Sequence, residues 1–303
     1  MATSFTNTPI AHTSDATFRV WGSELSGMLS SVGTASGCLT QTADTGQINW
    51  TTVTRPGSLT AGGYEIWRLT DSLGVSAPVY LKVEYGTGSG TTTPMVWLTV
   101  GTGTNGAGTL TGSSTTRVVA GGNGAPTSTV ADYQSWVCCV DGHIGVAFKV
   151  GYASAGVLPA AFFVVERPCD PDATLRSDGV QVYVTNAQNA PSATTLNFAT
   201  NTQYGTVSSN KAYCMVVNGV TSTASGSDFS AFKHYVAYPQ VRTLNGVCTV
   251  LRTELALGSE APMTLNGATP HNYVSLGGPN INQGICSASI SGTGDHAMCF
   301  LWE

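Results

Sequence analysis

Eight cysteines and five histidines have the widest chemical reach in this sequence, and their spacing limits which chemistry is open to them. The cysteines are Cys38, Cys138, Cys139, Cys169, Cys214, Cys248, Cys286 and Cys299. None forms a Cys-x-x-Cys pair, and no Cys/His set has the spacing of a zinc site. Two states fit them. Buried thiols would act as small hydrophobes. Disulfides, within or between subunits, would form after release from a reducing cytoplasm. Cys138 and Cys139 are neighbours on an expected strand, so alternation points them to opposite faces and away from bonding each other. Either one is left to pair with Cys169, Cys214, Cys248, Cys286 or Cys299.

The histidines, His12, His143, His234, His271 and His296, are scattered. No His-x-x-x-His or His-Glu pair occurs, and Asp295-His296 is adjacent only in sequence, whereas a catalytic dyad needs adjacency in space. No Gly-x-Ser-x-Gly nucleophile elbow is present. Cys169-Asp170-Pro171-Asp172 with Asp178 has the composition of a hard-cation loop but not EF-hand spacing, and reads as a capped turn. The glycine run Gly101–Gly108 lacks the Lys-Ser/Thr and the following helix of a phosphate loop, and reads as a turn. Tyr64, Trp67, Trp136 and Tyr152 are candidates for stacking on sugar if exposed, and core residues if not. The reading is therefore a non-enzyme with no cofactor and no metal.

The scarcity of charge narrows the class further. Of 303 residues only 12 are Lys or Arg and 17 are Asp or Glu, 10% of the chain against a usual quarter or so. Thr alone outnumbers all charged residues together, and there are 36 Gly. The net charge of −5 and the absence of adjacent basic residues argue against nucleic acid as a partner, since phosphate binding needs clustered Lys and Arg. With 42% hydrophobic residues and a mean hydropathy of +0.08, the chain is too apolar for disorder. No run approaches the ~18 apolar residues of a membrane span. The first twenty residues have no basic and apolar regions of a secretory signal. The expectation is synthesis in a cytoplasm without classical export.

The elements that must hold these residues are mostly strands. One amphipathic helix is expected over Asp15–Val32. Phe18, Trp21, Leu25 and Leu29 recur at three- and four-residue spacing, Thr13-Ser14-Asp15 supply cap groups, and Gly33 ends it. Ser14 is followed three residues later by Thr17, so a full capping box is not expected. Asn49–Val53, Gly63–Leu69, Val79–Tyr85 and Met95–Val100 read as strands, the last two forming a hairpin. Further short strands are expected over 133–140, 144–152, 160–166, 180–185, 212–218, 234–239, 247–254, 273–276, 285–290 and 297–302. Asp141-Gly142 is read as a type I′ hairpin turn. The fold class is mainly β: one N-terminal helix, then two β-rich domains of sandwich or distorted-barrel type. The Gly/Ser/Thr-rich segment 113–129 is read as the linker between domains at 1–112 and 130–303.

Five strings in the first half carry a resemblance: Ile10–Asp15, Phe18–Leu25, Thr42–Trp50, Gly63–Arg68 and Val83–Gly88. Over roughly residues 5–112 the chain resembles a family of structural proteins of the virions of tailed bacteriophages, encoded beside tail genes. The resemblance implies a virion structural protein and leaves its position in the particle open; the position expected here is the tail tip, baseplate or fibre-attachment region, with a role in assembly and stabilisation, in the virion after synthesis in the bacterial host cytoplasm. Its partners would be other virion proteins and copies of itself. A capsid decoration protein is one alternative. A tail protein that binds or degrades a host-surface glycan is another. The arm Met1–Thr13 is expected to dock on a neighbouring subunit through Phe5 and Ile10.

Overall fold

The first described stretch of periodic apolar residues forms α1 (Asp15–Ser36), which buries Phe18, Trp21, Leu25, Met28, Leu29 and Val32 along one stripe. The structure is a computed structural model and describes residues 2–9, 13–88, 94–113, 116–119, 132–149, 160–167, 174–177, 179–184, 206–207, 210–216, 250–253, 260–263, 271–275 and 297–301. Of the strand before α1 and of residues after Val182, only the backbone pairing is described.

Two ends of the helix differ from the sequence reading. Ser14 and Thr17 do form a capping box: the Ser14 hydroxyl accepts from the Thr17 N–H, and the Thr17 hydroxyl accepts from the Ser14 N–H. Threonine thus does the work that Glu or Gln does in the usual motif. The helix also runs past Gly33 to Ser36. Gly37 terminates it in the left-handed region, φ 69°, and its N–H donates to the Gly33 carbonyl at 2.8 Å. Gly33 instead serves packing, because a Cβ there would lie 2.5 Å from the Leu39 carbonyl oxygen.

The strands in chain order are β1 (Ala2–Pro9), then, after α1, β2 (Leu39–Gln41), β3 (Thr60–Leu69), β4 (Val79–Thr87) and β5 (Pro94–Gly101). The short strands β6 (Gly103–Thr104), β7 (Leu110–Thr111) and β8 (Arg117–Val119) come next. The second half carries β9 (Asp132–Val140), β10 (His143–Lys149), β11 (Ala160–Glu166), β12 (Gly179–Val184), β13 (Thr206–Val207) and β14 (Asn210–Val216). The last four are β15 (Val250–Thr253), β16 (Glu260–Met263), β17 (His271–Ser275) and β18 (Ala297–Leu301).

The fold is mainly β with one helix. A five-stranded sheet has the order β2-β3-β4-β5-β8, and a seven-stranded sheet the order β1-β9-β10-β11-β12-β14-β13. A four-stranded sheet, β15-β18-β17-β16, and the hairpin β6-β7 complete the set among the described residues. Described sheets are open, and every ladder is antiparallel except β12–β14. The expected strand Asn49–Val53 is instead a turn, in which the Asn49 carbonyl accepts from Thr52 and Val53. Local β-propensity loses there to the packing of Trp50, as described below. The Asp141-Gly142 hairpin turn is present between β9 and β10. It is not type I′, which needs positive φ at both central residues; only Gly142 has it, φ 74°.

One hydrophobic core serves α1, the five-stranded sheet and one face of the seven-stranded sheet. It runs from Phe18 and Trp21 through Trp67, Val83 and Val96 to Val119, and on to Val137, Phe148 and Phe163. The core is thus continuous across the segment 113–129, which itself contributes β8. Trp21 is the wedge. Its ring meets Tyr85 of β4 edge-on at 6.0 Å and Phe148 of β10 at 5.8 Å.

Gly22 has a specific steric reason. A Cβ there would lie 1.9 Å from Cη2 of Trp50, whereas a Cβ on Gly27 would meet nothing within 4 Å. The two helical glycines should therefore answer oppositely to alanine. Gly22→Ala should cost about 1–3 kcal/mol through overpacking, and Gly27→Ala should gain up to about 1 kcal/mol in helix propensity. Urea midpoints check this, and two changes of the same sign would refute the assignment.

Candidate functional site

The chemistry-bearing side chains of the described residues gather in three places, each joining elements that are remote in sequence. The first lies where the turn after β3 meets the end of β11. Arg167 and Asp71 are both buried, and the guanidinium grips the carboxylate twice: Nε donates to Oδ2 at 2.6 Å and Nη2 to Oδ1 at 3.0 Å. Nη2 also donates to the Ala77 carbonyl at 2.7 Å, and the Arg167 N–H to the Gly142 carbonyl at 2.7 Å. Beside it the Asp141 carboxylate accepts from the Ser72 N–H at 2.6 Å. His143 and Glu166, opposite each other on β10 and β11, are fully buried with Nδ1 and Oε2 3.3 Å apart.

The second place is Glu65 on β3, only 2% exposed. Its carboxylate accepts from three neutral donors: the Ser26 hydroxyl at 2.7 Å, the Trp50 indole N–H at 3.2 Å and the Tyr85 hydroxyl at 2.6 Å. Burial, and then the Glu65 charge, push the Tyr85 hydroxyl well above its ordinary pKa. This tyrosine is a fixed hydrogen-bond donor.

The third place is Asp44. Its carboxylate accepts from the hydroxyls of Thr42 and Thr104 and from the Gly108 N–H. The glycine run is thus a clasp for a carboxylate of its own chain. A Cβ on Gly108, where φ is 86°, would lie 2.0 Å from the Tyr64 hydroxyl oxygen. Burial raises the Asp44 pKa, but the bonds from Thr104, Thr42 and Gly108 outweigh it and leave the carboxyl below its ordinary value.

The residues singled out in the sequence divide as follows. Trp67 and Trp136 are core, at 1% and 2% exposure. The Tyr64 hydroxyl donates to the Thr45 carbonyl, and the Lys82 ammonium lies 4.5 Å from the centre of its ring. Cys138 and Cys139 are buried; Cys139 belongs to the core shared with α1 and Cys138 does not, as strand alternation requires. Phe5 lies on β1, opposite Trp136 in register. The arm that the sequence suggested as docking on a neighbour is in this structure a strand of its own chain, paired with β9 from Ala2 to Pro9. Cys214 and Cys299 lie on β14 and β18, and His271 opens β17. Ile10, His12, Tyr152, Cys169, Asp170, Asp172, Asp178, His234, Cys248, Cys286, Asp295 and His296 lie outside the described residues. Among the described residues, no group of three or more His, Cys, Asp and Glu is placed to hold a metal ion. No helix among them is long and apolar enough to cross a membrane.

No family model, curated protein or solved structure matches this chain. The geometry therefore has to speak for itself. All three polar clusters present carboxylates whose hydrogen bonds run to the chain's own backbone and side chains. Sequence reasoning did not find Asp71, Arg167, Glu65 or Asp44. Their one available signal was rarity: in a chain so poor in charge, each ionisable residue within an apolar strand needs a structural explanation.

Two outcomes follow. Removing one partner of the buried pair, by Asp71→Ala or Arg167→Met, should cost about 3–5 kcal/mol, because the other charge is left buried. Asp71→Ala combined with Arg167→Met should cost clearly less than the sum of the two single changes, measured by urea unfolding; strict additivity would refute the coupling. For Asp44, a depressed folded pKa means that its stabilisation is complete above the unfolded value of 3.8 and is lost as pH falls through the folded value. Asp44→Asn should flatten the acid limb of the stability–pH curve below about pH 4. An unchanged acid limb would remove Asp44 from the account.

Proposed function

We propose that this chain is a β-rich structural component of a bacteriophage virion, in the tail tip, baseplate or fibre-attachment region, working through contacts with copies of itself and with neighbouring virion proteins. One observation carries the reading. The described residues of the five sequence strings of the resemblance come together as one packed unit, four of the strings meeting at Glu65 and Trp50. Ser14 caps α1 and Asp15 begins it, and the Asp15 carboxylate accepts from the Arg55 N–H at 2.9 Å. Arg19 donates to the carbonyls of Val53 and Thr52. Trp50, from the third string, packs on Gly22 from the second and on Tyr85 from the fifth. Glu65, from the fourth, takes hydrogen bonds from Trp50 and Tyr85.

The residues that carry the resemblance are thus committed to holding a helix, a loop and two strands in one arrangement. That is the use expected of them in an architectural protein. The low charge agrees, since charged residues are depleted at the centres of protein interfaces.

The test is to purify particles of the phage encoding this chain by density gradient, identify their proteins by peptide mass spectrometry, and label them with gold-conjugated antibody. The chain should band with the particles, and gold should mark the tail end. Gold over the shell would replace the tail position with capsid decoration. A chain found only in the soluble fraction of the lysate would overturn the proposal.

A further inference from the structure

The strand that precedes α1 closes a sheet built by the other half of the molecule. β1 pairs with β9 in one unbroken antiparallel ladder, from Ala2 opposite Cys139 to Pro9 opposite Asp132. It is the end strand of the seven-stranded sheet, and among the described strands only β9 pairs with it. It also lies along α1. The place that β1 fills cannot be left empty. On its other side β9 pairs with β10, and its residues Ser135 to Cys139 are all buried. From Tyr133 to Val140 the sequence of β9 holds no charged residue. Bared of β1, it would be an uncharged, mostly apolar sheet edge, a template for strands of other chains.

The strand and the helix are held separately, on either side of a short connection. Pro9 ends β1, and its ring fixes φ at about −65°. Ser14, the cap of α1, is extended, with φ −149° and ψ 169°. The start of α1 is tied to the first half without help from β1, through Asp15 to the Arg55 N–H and through Arg19 to the carbonyls of Val53 and Thr52. Only Ile10, Ala11, His12 and Thr13 lie between Pro9 and the cap. A short connection between two separately held elements is the arrangement that invites exchange between copies.

We propose that β1 is exchanged between copies of this chain, so that β1 of one copy fills the β9 edge of the next in the register seen here within one chain. This rests on the reading that the chain works through contacts with copies of itself, and it names the contact. Exchange preserves every pair of the ladder and the packing of β1 along a helix. Only residues 10–13 change course. Concentration therefore sets the balance. A short tether presents β1 to its own β9 at an effective concentration on the order of mM. Dilute chains stay closed, and copies held side by side in a particle exchange strands. Each β9 edge takes one strand, so exchange closes as a reciprocal pair or as a ring.

The test uses the purified full chain and needs no particle. Thr3 stands opposite Cys138 in the ladder. Opposed Cα atoms of an antiparallel pair lie about 4.5–5.5 Å apart, within the range of a disulfide. Thr3→Cys is incubated at chain concentrations from well below to above the effective concentration, then oxidised with glutathione disulfide. Non-reducing gels and peptide mapping by mass spectrometry read the link. The expected result is a 3–138 link that lies within one chain in dilute samples and becomes mostly interchain in concentrated ones. Thr6→Cys with Ser135→Cys, another opposed pair, repeats the measurement if the first variant fails to fold. Light scattering of the wild-type chain adds a readout with no substitution: multimers should form in concentrated samples and persist on dilution, because the whole ladder must unzip to release them. A 3–138 link confined to one chain at every concentration would overturn the proposal. So would its absence, a 3–3 link from two β1 strands pairing edge to edge, or a wild-type chain that stays monomeric throughout. The two readings fail separately. A link confined to one chain removes the exchange and leaves a particle-bound chain in the virion, whereas exchange by a chain absent from particles removes the virion assignment alone.

Discussion

A buried guanidinium has to be answered by a carboxylate, and this requirement fixes how the two halves of the molecule meet. Arg167 sits at the end of β11 with Asp71 and the Ala77 carbonyl around its head group. Taking such a charge out of water costs several kcal/mol, and only a close pair with good hydrogen bonds offsets it. The turn between β3 and β4 therefore has one acceptable position against the seven-stranded sheet. The hairpin turn at Asp141-Gly142 is held by the same cluster, through the Ser72 N–H on one side and the Arg167 N–H on the other. That double commitment accompanies a turn with positive φ at Gly142 alone.

The apolar core fills the space this tie defines, with Trp21 spanning from β4 to β10. Apolar packing is non-directional and tolerates many arrangements. Polar groups in the core do not, since each unsatisfied one carries a desolvation cost. Glu65 shows the consequence: one carboxylate takes donors from α1, from the turn at Trp50 and from β4. Asp71, Arg167 and Glu65 act as directional fasteners in a core of otherwise permissive contacts. For a protein proposed to work through subunit contacts, a rigid first half is the useful property, because an assembly face needs a fixed shape before it meets its neighbour.

Where a sequence pattern is periodic, it was legible. Val79, Leu81, Val83 and Tyr85 alternate in the sequence and are buried on one face of β4. The stripe of α1 was equally plain, and so was the mainly β fold class. Legibility failed where a residue's role is set by something distant. Asn49–Val53 is rich in β-prone residues, yet it is a turn, because Trp50 must reach Gly22 and Glu65. Gly33 looked like a stop and is a contact with Leu39, while Gly37 is the stop.

The sequence by itself determined the local grammar: one helix, many strands, few charges, and adjacent cysteines on opposite faces. These follow from backbone geometry and side-chain period, which act over a few residues. Only the tertiary structure decided which remote groups meet. Asp71 and Arg167 are 96 residues apart, and Glu65 collects donors from 15 to 39 residues away. Such pairings depend on how sheets stack and where a helix lies between them. No local pattern encodes that, because the free energy that selects it comes from burying the whole core at once.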